Sequence, residues 1–120
     1  MNDSGRQNRR QYPRIKLSVP IEIQSEASRS PIRCATADIS LCGCYVENMY
    51  PLPVGTSLDL QLSIGTTVLV AATVASCDPQ VGNGIQFVRM LSEDREALKA
   101  FLDAAEKEQK STLTPSASRR

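Results

Sequence analysis

The chain has 120 residues, 41% of them apolar and 22% charged, with a net charge of +1, which bounds it to one globular domain with a modest core. It contains no histidine and no tryptophan, so histidine-based acid–base catalysis, catalytic triads and histidine-bearing metal sites are excluded. No apolar run approaches the roughly 20 residues of a membrane helix, and the first residues form no apolar signal region, so no membrane insertion and a cytoplasmic location are expected.

Residues 1–13 lack apolar periodicity and read as a flexible basic arm. Residues 1–16 carry Arg6, Arg9, Arg10, Arg14 and Lys16 against Asp3 alone, whereas residues 17–110 are mildly acidic. A basic arm on an acidic body points to an anionic partner for the arm.

Order is expected over residues 14–110, as a single domain. Ile15, Leu17, Val19, Ile21 and Ile23 alternate with Lys16, Ser18, Pro20, Glu22 and Gln24. That period of two predicts one half-buried antiparallel strand, with Pro20 placing it at an edge or a bulge. After a polar turn, Ile32 to Ile39 reads as a second strand and Cys44 to Glu47 as a third, with Ser40 to Gly43 turning between them. Pro51, Pro53 and Gly55 punctuate a loop. Leu58, Leu60, Leu62 and Ile64 mark a fourth strand, Gly65 a tight turn, and Thr67 to Cys77 a fifth. Asp78 to Gly84 reads as a turn, Gly82-x-Gly84 included, and Ile85 to Arg89 as the sixth strand. Six short strands with close turns predict a closed or nearly closed antiparallel barrel, because closure removes exposed edges.

At Ser92 the period changes. Ser92 is placed as an N-cap, followed by Glu93 and Asp94 at the positive end of a helix. Leu91, Leu98, Phe101, Leu102 and Ala105 mark one helical face, expected to cover an end of the barrel. Residues 111–120 read as a disordered tail.

Two short patterns could carry chemistry. Arg10 and Arg14 form R-x-x-x-R where the arm meets the first strand, with Arg9 beside them. Asp38, Ser40 and Gly43 form D-x-S-x-x-G where the second strand turns into the third. One such arginine pair is expected by chance about 0.8 times in this composition, the second pattern only about 0.05 times. Their combination, in this order and on these elements, is the signal. Taken singly, the arginines fit a solvated arm, and Asp, Ser and Gly fit ordinary turn chemistry.

The pairing resembles the PilZ domain family, receptors for the bacterial second messenger cyclic di-GMP. The likeness runs from about Arg9 to Leu102 and takes in the leucine-rich strand after Gly55, the Gly84-Ile85-Gln86-Phe87 strand and the closing helix. It implies a mainly β fold, a six-stranded antiparallel PilZ-type barrel with a C-terminal helix. It also implies a ligand site of Arg9, Arg10, Arg14, Asp38, Ser40 and Gly43. An arginine fork fits phosphate oxygens or the guanine O6/N7 edge, and its plane can stack on a base. A carboxylate at Asp38 would accept from guanine N1–H and N2–H₂ and discriminate against adenine. Ser40 adds a neutral hydrogen bond, and Gly43 allows a positive φ or a close backbone approach to the ligand.

The resulting expectation is a non-catalytic receptor that binds cyclic di-GMP without metal or cofactor. Ordering of the arm would create a surface for an effector protein that the sequence does not name. The alternative is a PilZ-fold interaction module that does not use nucleotide. Binding of a nucleic acid polymer is not expected, because such barrels gather aromatics on one sheet face and this chain does not. Cys34, Cys42, Cys44 and Cys77 contain no C-x-x-C spacing and read as small apolar side chains in a reducing compartment.

Overall fold

The computed structural model describes residues 13–26 and 29–113. The alternation of apolar and polar residues is realised as six strands: β1 (Pro20–Ser25), β2 (Ile32–Ile39), β3 (Gly43–Glu47), β4 (Ser57–Ser63), β5 (Thr67–Asp78) and β6 (Gly82–Arg89). One helix follows, α1 (Ser92–Leu113). All strand pairs are antiparallel, and the order β1-β2-β3-β6-β5-β4 closes on itself through β1 and β4. Because side chains alternate across each strand, one set from each fills the interior. Ile21 and Ile23, Ile39, Val46, Leu58, Leu60 and Leu62, Val68 and Val70, Val74 and Ile85 are all buried there.

A barrel must be covered at both ends to keep its interior dry. At the rim where β2 and β6 end and β3 and β5 begin, α1 lies across the opening and buries Leu98 and Leu102. At the other rim the loop after β3 is held by Asn83, itself buried. Its side chain accepts from Leu52 N at 2.8 Å and donates to Leu52 O at 2.9 Å and Ser76 O at 3.1 Å.

Several expectations change in detail. The first strand is not continuous. Ile15 and Val19 do point inward, but Ile15 forms only an isolated bridge with Ile39, and regular pairing starts at Pro20. The gap is filled by Thr36, whose hydroxyl donates to Leu17 O at 2.6 Å and accepts from Val19 N at 2.9 Å. Pro20 occupies neither an edge nor a bulge: it opens β1 in a closed barrel, where its missing N–H interrupts least. Gly82 and Gly84 lie inside β6, not in a turn. A Cβ on Gly82 would meet Val46 O, and one on Gly84 the Ser76 hydroxyl, so these glycines serve close approach between neighbouring strands.

The helix also departs from expectation at both ends. Arg95 N donates to Leu91 O at 2.9 Å, so Leu91 takes the cap position and Ser92 is the first helical residue. Leu91 is exposed and does not belong to the buried face. Residues 111–113, expected in the tail, continue the helix. The rest of the expected tail and residues 1–12 of the arm lie outside the described residues. Among the described residues no helix is long and apolar enough to cross a membrane.

Replacing Asn83 with Ala leaves the N–H and carbonyl of half-buried Leu52 and the carbonyl of exposed Ser76 without their partner. Each such orphan costs about 1–3 kcal/mol, with water entry offsetting part of the total. Urea unfolding is therefore expected to show a loss of about 1–2 kcal/mol. A change below about 0.5 kcal/mol would mean that the loop does not depend on Asn83.

Candidate functional site

The site is built on the rim where the entering chain meets β2. Ile15 N donates to Ile39 O at 2.9 Å and Ile39 N to Ile15 O at 3.0 Å, and both side chains are buried. With Ile15 and Ile39 turned inward, the residues just before them, Arg14 and Asp38, turn outward. Their side chains meet, with Arg14 Nη1 donating to Asp38 Oδ1 at 2.8 Å. The arginine is 49% exposed and the carboxylate 29%. A pair this exposed is worth about 0–1 kcal/mol, so it orients the two groups without locking them.

The root of the arm is also tied to α1. Gln109 Nε2 donates to Lys16 O at 3.0 Å, and Pro13, Ile15 and Leu41 line a small cavity of about 150 Å³ with Leu102, Asp103 and Glu106. Arg14 thus leaves the barrel between β2 and the helix.

Ser40 and Gly43 shape the adjoining turn. Ser40 N donates to Gly43 O at 2.8 Å, and the Ser40 hydroxyl accepts from Cys42 N at 3.0 Å and donates to Gly43 O at 3.4 Å. Ser40 is buried. At Gly43 no positive φ occurs, since among the described glycines only Gly55 and Gly65 adopt one. A Cβ at Gly43 would collide with Ile85 O, so it is the backbone of β6 that a side chain would strike. The six residues named from sequence therefore divide. Arg14 and Asp38 are outward, polar and in contact; Ser40 and Gly43 are turned into the fold; Arg9 and Arg10 lie outside the described residues.

One neighbour was missed. Tyr45 is paired with Asp38 across β2 and β3, and its hydroxyl donates to Asp78 Oδ2 at 2.7 Å. That bond, followed by burial and the nearby carboxylates, raises its ionisation to about 12. The period-two count through the Ser40–Gly43 turn could have placed Tyr45 beside Asp38, because it fixes which residues of the hairpin share a face.

The cysteines lie in different environments: Cys44 is buried, Cys34 and Cys77 partly so, and Cys42 is exposed in the turn. Among the described residues no group of three or more His, Cys, Asp or Glu side chains could hold a metal. Burial pushes the Cys44 thiol up to about 12, Arg14 opposing the rise and Asp38 and Cys34 adding to it. Burial also raises Cys34.

Comparison with known proteins then bears on this arrangement. The family model for the PilZ domain matches residues 8–104. No curated protein matches the sequence. Among solved structures, the Escherichia coli YcgR PilZ domain with c-di-GMP is similar at a TM-score of 0.70 and 16% identity, covering 88% of this chain and 98% of that one. The inhibitor of motility MotI/DgrA of Bacillus subtilis gives 0.68 and 21%, covering 85% of this chain, which spans only 52% of the MotI chain. The PilZ domain of CeSA from a cellulose-synthesizing bacterium gives 0.60 and 18%, covering 78% and 98%. At these identities the likeness is one of fold.

Two outcomes are expected from the geometry. Gly43→Ala forces β3 from β6 and should lower stability by about 1–3 kcal/mol in urea unfolding; an unchanged midpoint would refute the close approach. In native protein at pH 8, alkylation should modify Cys42 first and Cys44 last, the order vanishing on unfolding. The same shift links Cys44 to stability. Its native ionisation lies above the ordinary 9.0, so its contribution is full below about pH 9 and fades as pH rises through about 12.

Proposed function

The chain belongs to the PilZ domain family, and from that premise we propose that it is a non-catalytic receptor for cyclic di-GMP. The Arg14–Asp38 contact carries this reading. It supplies, at the root of an arginine-rich arm, both kinds of group the ligand calls for: a planar cationic fork and a carboxylate. Cyclic di-GMP presents two phosphate charges and two guanines. The fork takes phosphate oxygens or a guanine O6/N7 edge, and the carboxylate accepts from guanine N1–H and N2–H₂.

Binding is then an exchange. Asp38 gives up the Arg14 guanidinium for a guanine edge, and Arg14 is released to phosphate. The pair given up is worth about 0–1 kcal/mol, whereas each charge-assisted bond to the ligand is worth roughly 1.5–3 kcal/mol, so the exchange runs downhill. Arg10, four residues upstream, and Arg9 beside it close over the ligand from the arm. Ser40 and Gly43 act through the turn that holds Asp38 and Cys42 in place, which places their effect one step from the ligand. Ordering the arm costs conformational entropy, which the phosphate contacts offset. The newly ordered arm is the surface an effector protein would meet, in the cytoplasm where the messenger acts.

A second reading has its own observation. The hydrogen bonds of Ser40 and the packing of Gly43 satisfy the turn without any ligand. The D-x-S-x-x-G pattern could therefore persist in a module that binds a protein and no nucleotide.

Calorimetric titration with cyclic di-GMP, against GTP and cyclic di-AMP, separates the two. The receptor gives saturable, guanine-selective heat, and Arg10→Ala, Arg14→Ala and Asp38→Ala each weaken it on the order of 10- to 100-fold. Arg14→Lys, which keeps the charge and loses the fork, also weakens it. Unchanged affinity in the Arg10→Ala/Arg14→Ala double variant, or no heat from folded protein, sinks the receptor and leaves the interaction module.

A further inference from the structure

The outer wall opposite β2 and β3 carries a feature that the nucleotide site does not use. Strand register sets Gln24 (β1), Asp59 (β4), Ala71 (β5) and Arg89 (β6) in one outward row, each paired with the next. Ala71, the smallest of the four, leaves a dip between the carboxylate and the guanidinium. Two recesses of about 610 and 520 Å³ open on this row and share its four residues. Leu69 and Leu91 line the first and Val88 the second. These are 53%, 64% and 62% exposed, three of the seven large apolar side chains that stand out among the described residues. Exposed apolar side chains that line adjoining recesses, with polar groups between them, mark a surface that another molecule covers.

The rim states the chemistry of the occupant. Glu22, Glu26 and Asp59 line the two recesses, with Arg89 the one basic side chain among the described lining residues. Glu22 is shared with Arg33 across the strand pair at 3.3 Å. Asp94, at the start of α1, adds a further carboxylate by accepting from Leu69 N at 3.3 Å. An anionic ligand is disfavoured by this rim, and a second copy would set like charges face to face. A strand cannot add by backbone pairing, because a closed barrel offers no edge. What fits is a segment that inserts apolar side chains into the recesses and sets lysines or arginines against the rim.

We infer that this wall docks a cationic amphipathic helix of a partner protein, with Leu69, Val88 and Leu91 receiving its apolar face and Asp59 and Glu26 its basic side chains. A third recess, of about 380 Å³, runs from Val88 over Phe87 to Leu41 and Cys42, so the docking wall adjoins the turn of the nucleotide site. Docking itself does not require nucleotide.

The test uses the full chain, isotope-labelled for NMR, titrated with a leucine–lysine amphipathic helical peptide and a matched leucine–glutamate peptide. Expected are saturable shifts at the amides of Leu69, Ala71, Val88 and Arg89 with the lysine peptide and none there with the glutamate peptide. Asp59→Lys should weaken binding on the order of tenfold. Leu69→Glu should weaken it too, whereas an attraction by charge alone would be strengthened by that added carboxylate. Both positions face outward, and an unchanged thermal midpoint confirms that each variant is folded. The proposal is overturned by shifts that map elsewhere, by equal binding of the glutamate peptide, or by concentration-dependent broadening at this wall before peptide is added, which would assign the surface to self-association.

Discussion

Two backbone hydrogen bonds between Ile15 and Ile39 hold the entering chain on the rim of the barrel, and the geometry of the site follows from them. A closed barrel has no free edge on which a further strand can pair along its length, so a segment that crosses its rim must find partners one by one. Ile15 and Ile39 provide one pairing and the Thr36 hydroxyl another, bridging Leu17 and Val19. Both isoleucines are buried, which fixes the sense in which the backbone is turned. Arg14 and Asp38 then have one direction left to them, outward, and that is where they meet. The ion pair is a consequence of this packing; it is too exposed to be its cause.

The same rim explains why the pattern around Asp38 needs more than one polar residue. An outward carboxylate is useful to a ligand only if the strand end that bears it is held still. Ser40 does this by closing the turn on Gly43 and Cys42, and Gly43 does it by letting β6 approach to a distance no side chain would tolerate. Phe87 N donates to Cys42 O at 2.8 Å and stitches the turn to the neighbouring strand. Half of the motif thus makes contact chemistry available and half makes it rigid.

What the sequence could reveal follows from what alternation encodes. Period two records which side chains face the interior, so the six strands and most of the core were legible from Ile21, Leu58, Leu60, Leu62, Val68 and their like. It does not record where a backbone finds its hydrogen bonds. Ile15, Leu17 and Val19 alternate as a strand does, yet they belong to a rim crossing whose partners are the Ile39 backbone and a threonine side chain 17 or more residues away. Gly82 and Gly84 read as a turn because glycine favours turns locally; their actual constraint lies in Val46 and Ser76 on adjacent strands. Asn83 between them gives no local sign that it anchors a loop 31 residues distant. At the site, residue identity announced Arg14 and Asp38, whereas the structural tasks of Ser40 and Gly43 depend on β6 and were not readable from spacing.

Placement around the cylinder separates two kinds of work. At the α1 rim Arg14 and Asp38 are exposed without opening the core. A protein partner needs breadth, and breadth exists only on a wall, where alternate residues of four strands lie in register. The β1-β4-β5-β6 wall supplies it, with Leu69 and Leu91 exposed on one side of the Asp59–Arg89 row and Val88 on the other. β6 serves both regions: Phe87 is bonded to the motif turn, while Val88 and Arg89 line the wall recesses. A displacement of the turn on binding would therefore be felt first along β6, at the edge of the docking wall. Coupling between the two surfaces requires no motion of the barrel as a whole. It requires only that the Cys42–Phe87 hydrogen bond differ between the free and bound turn.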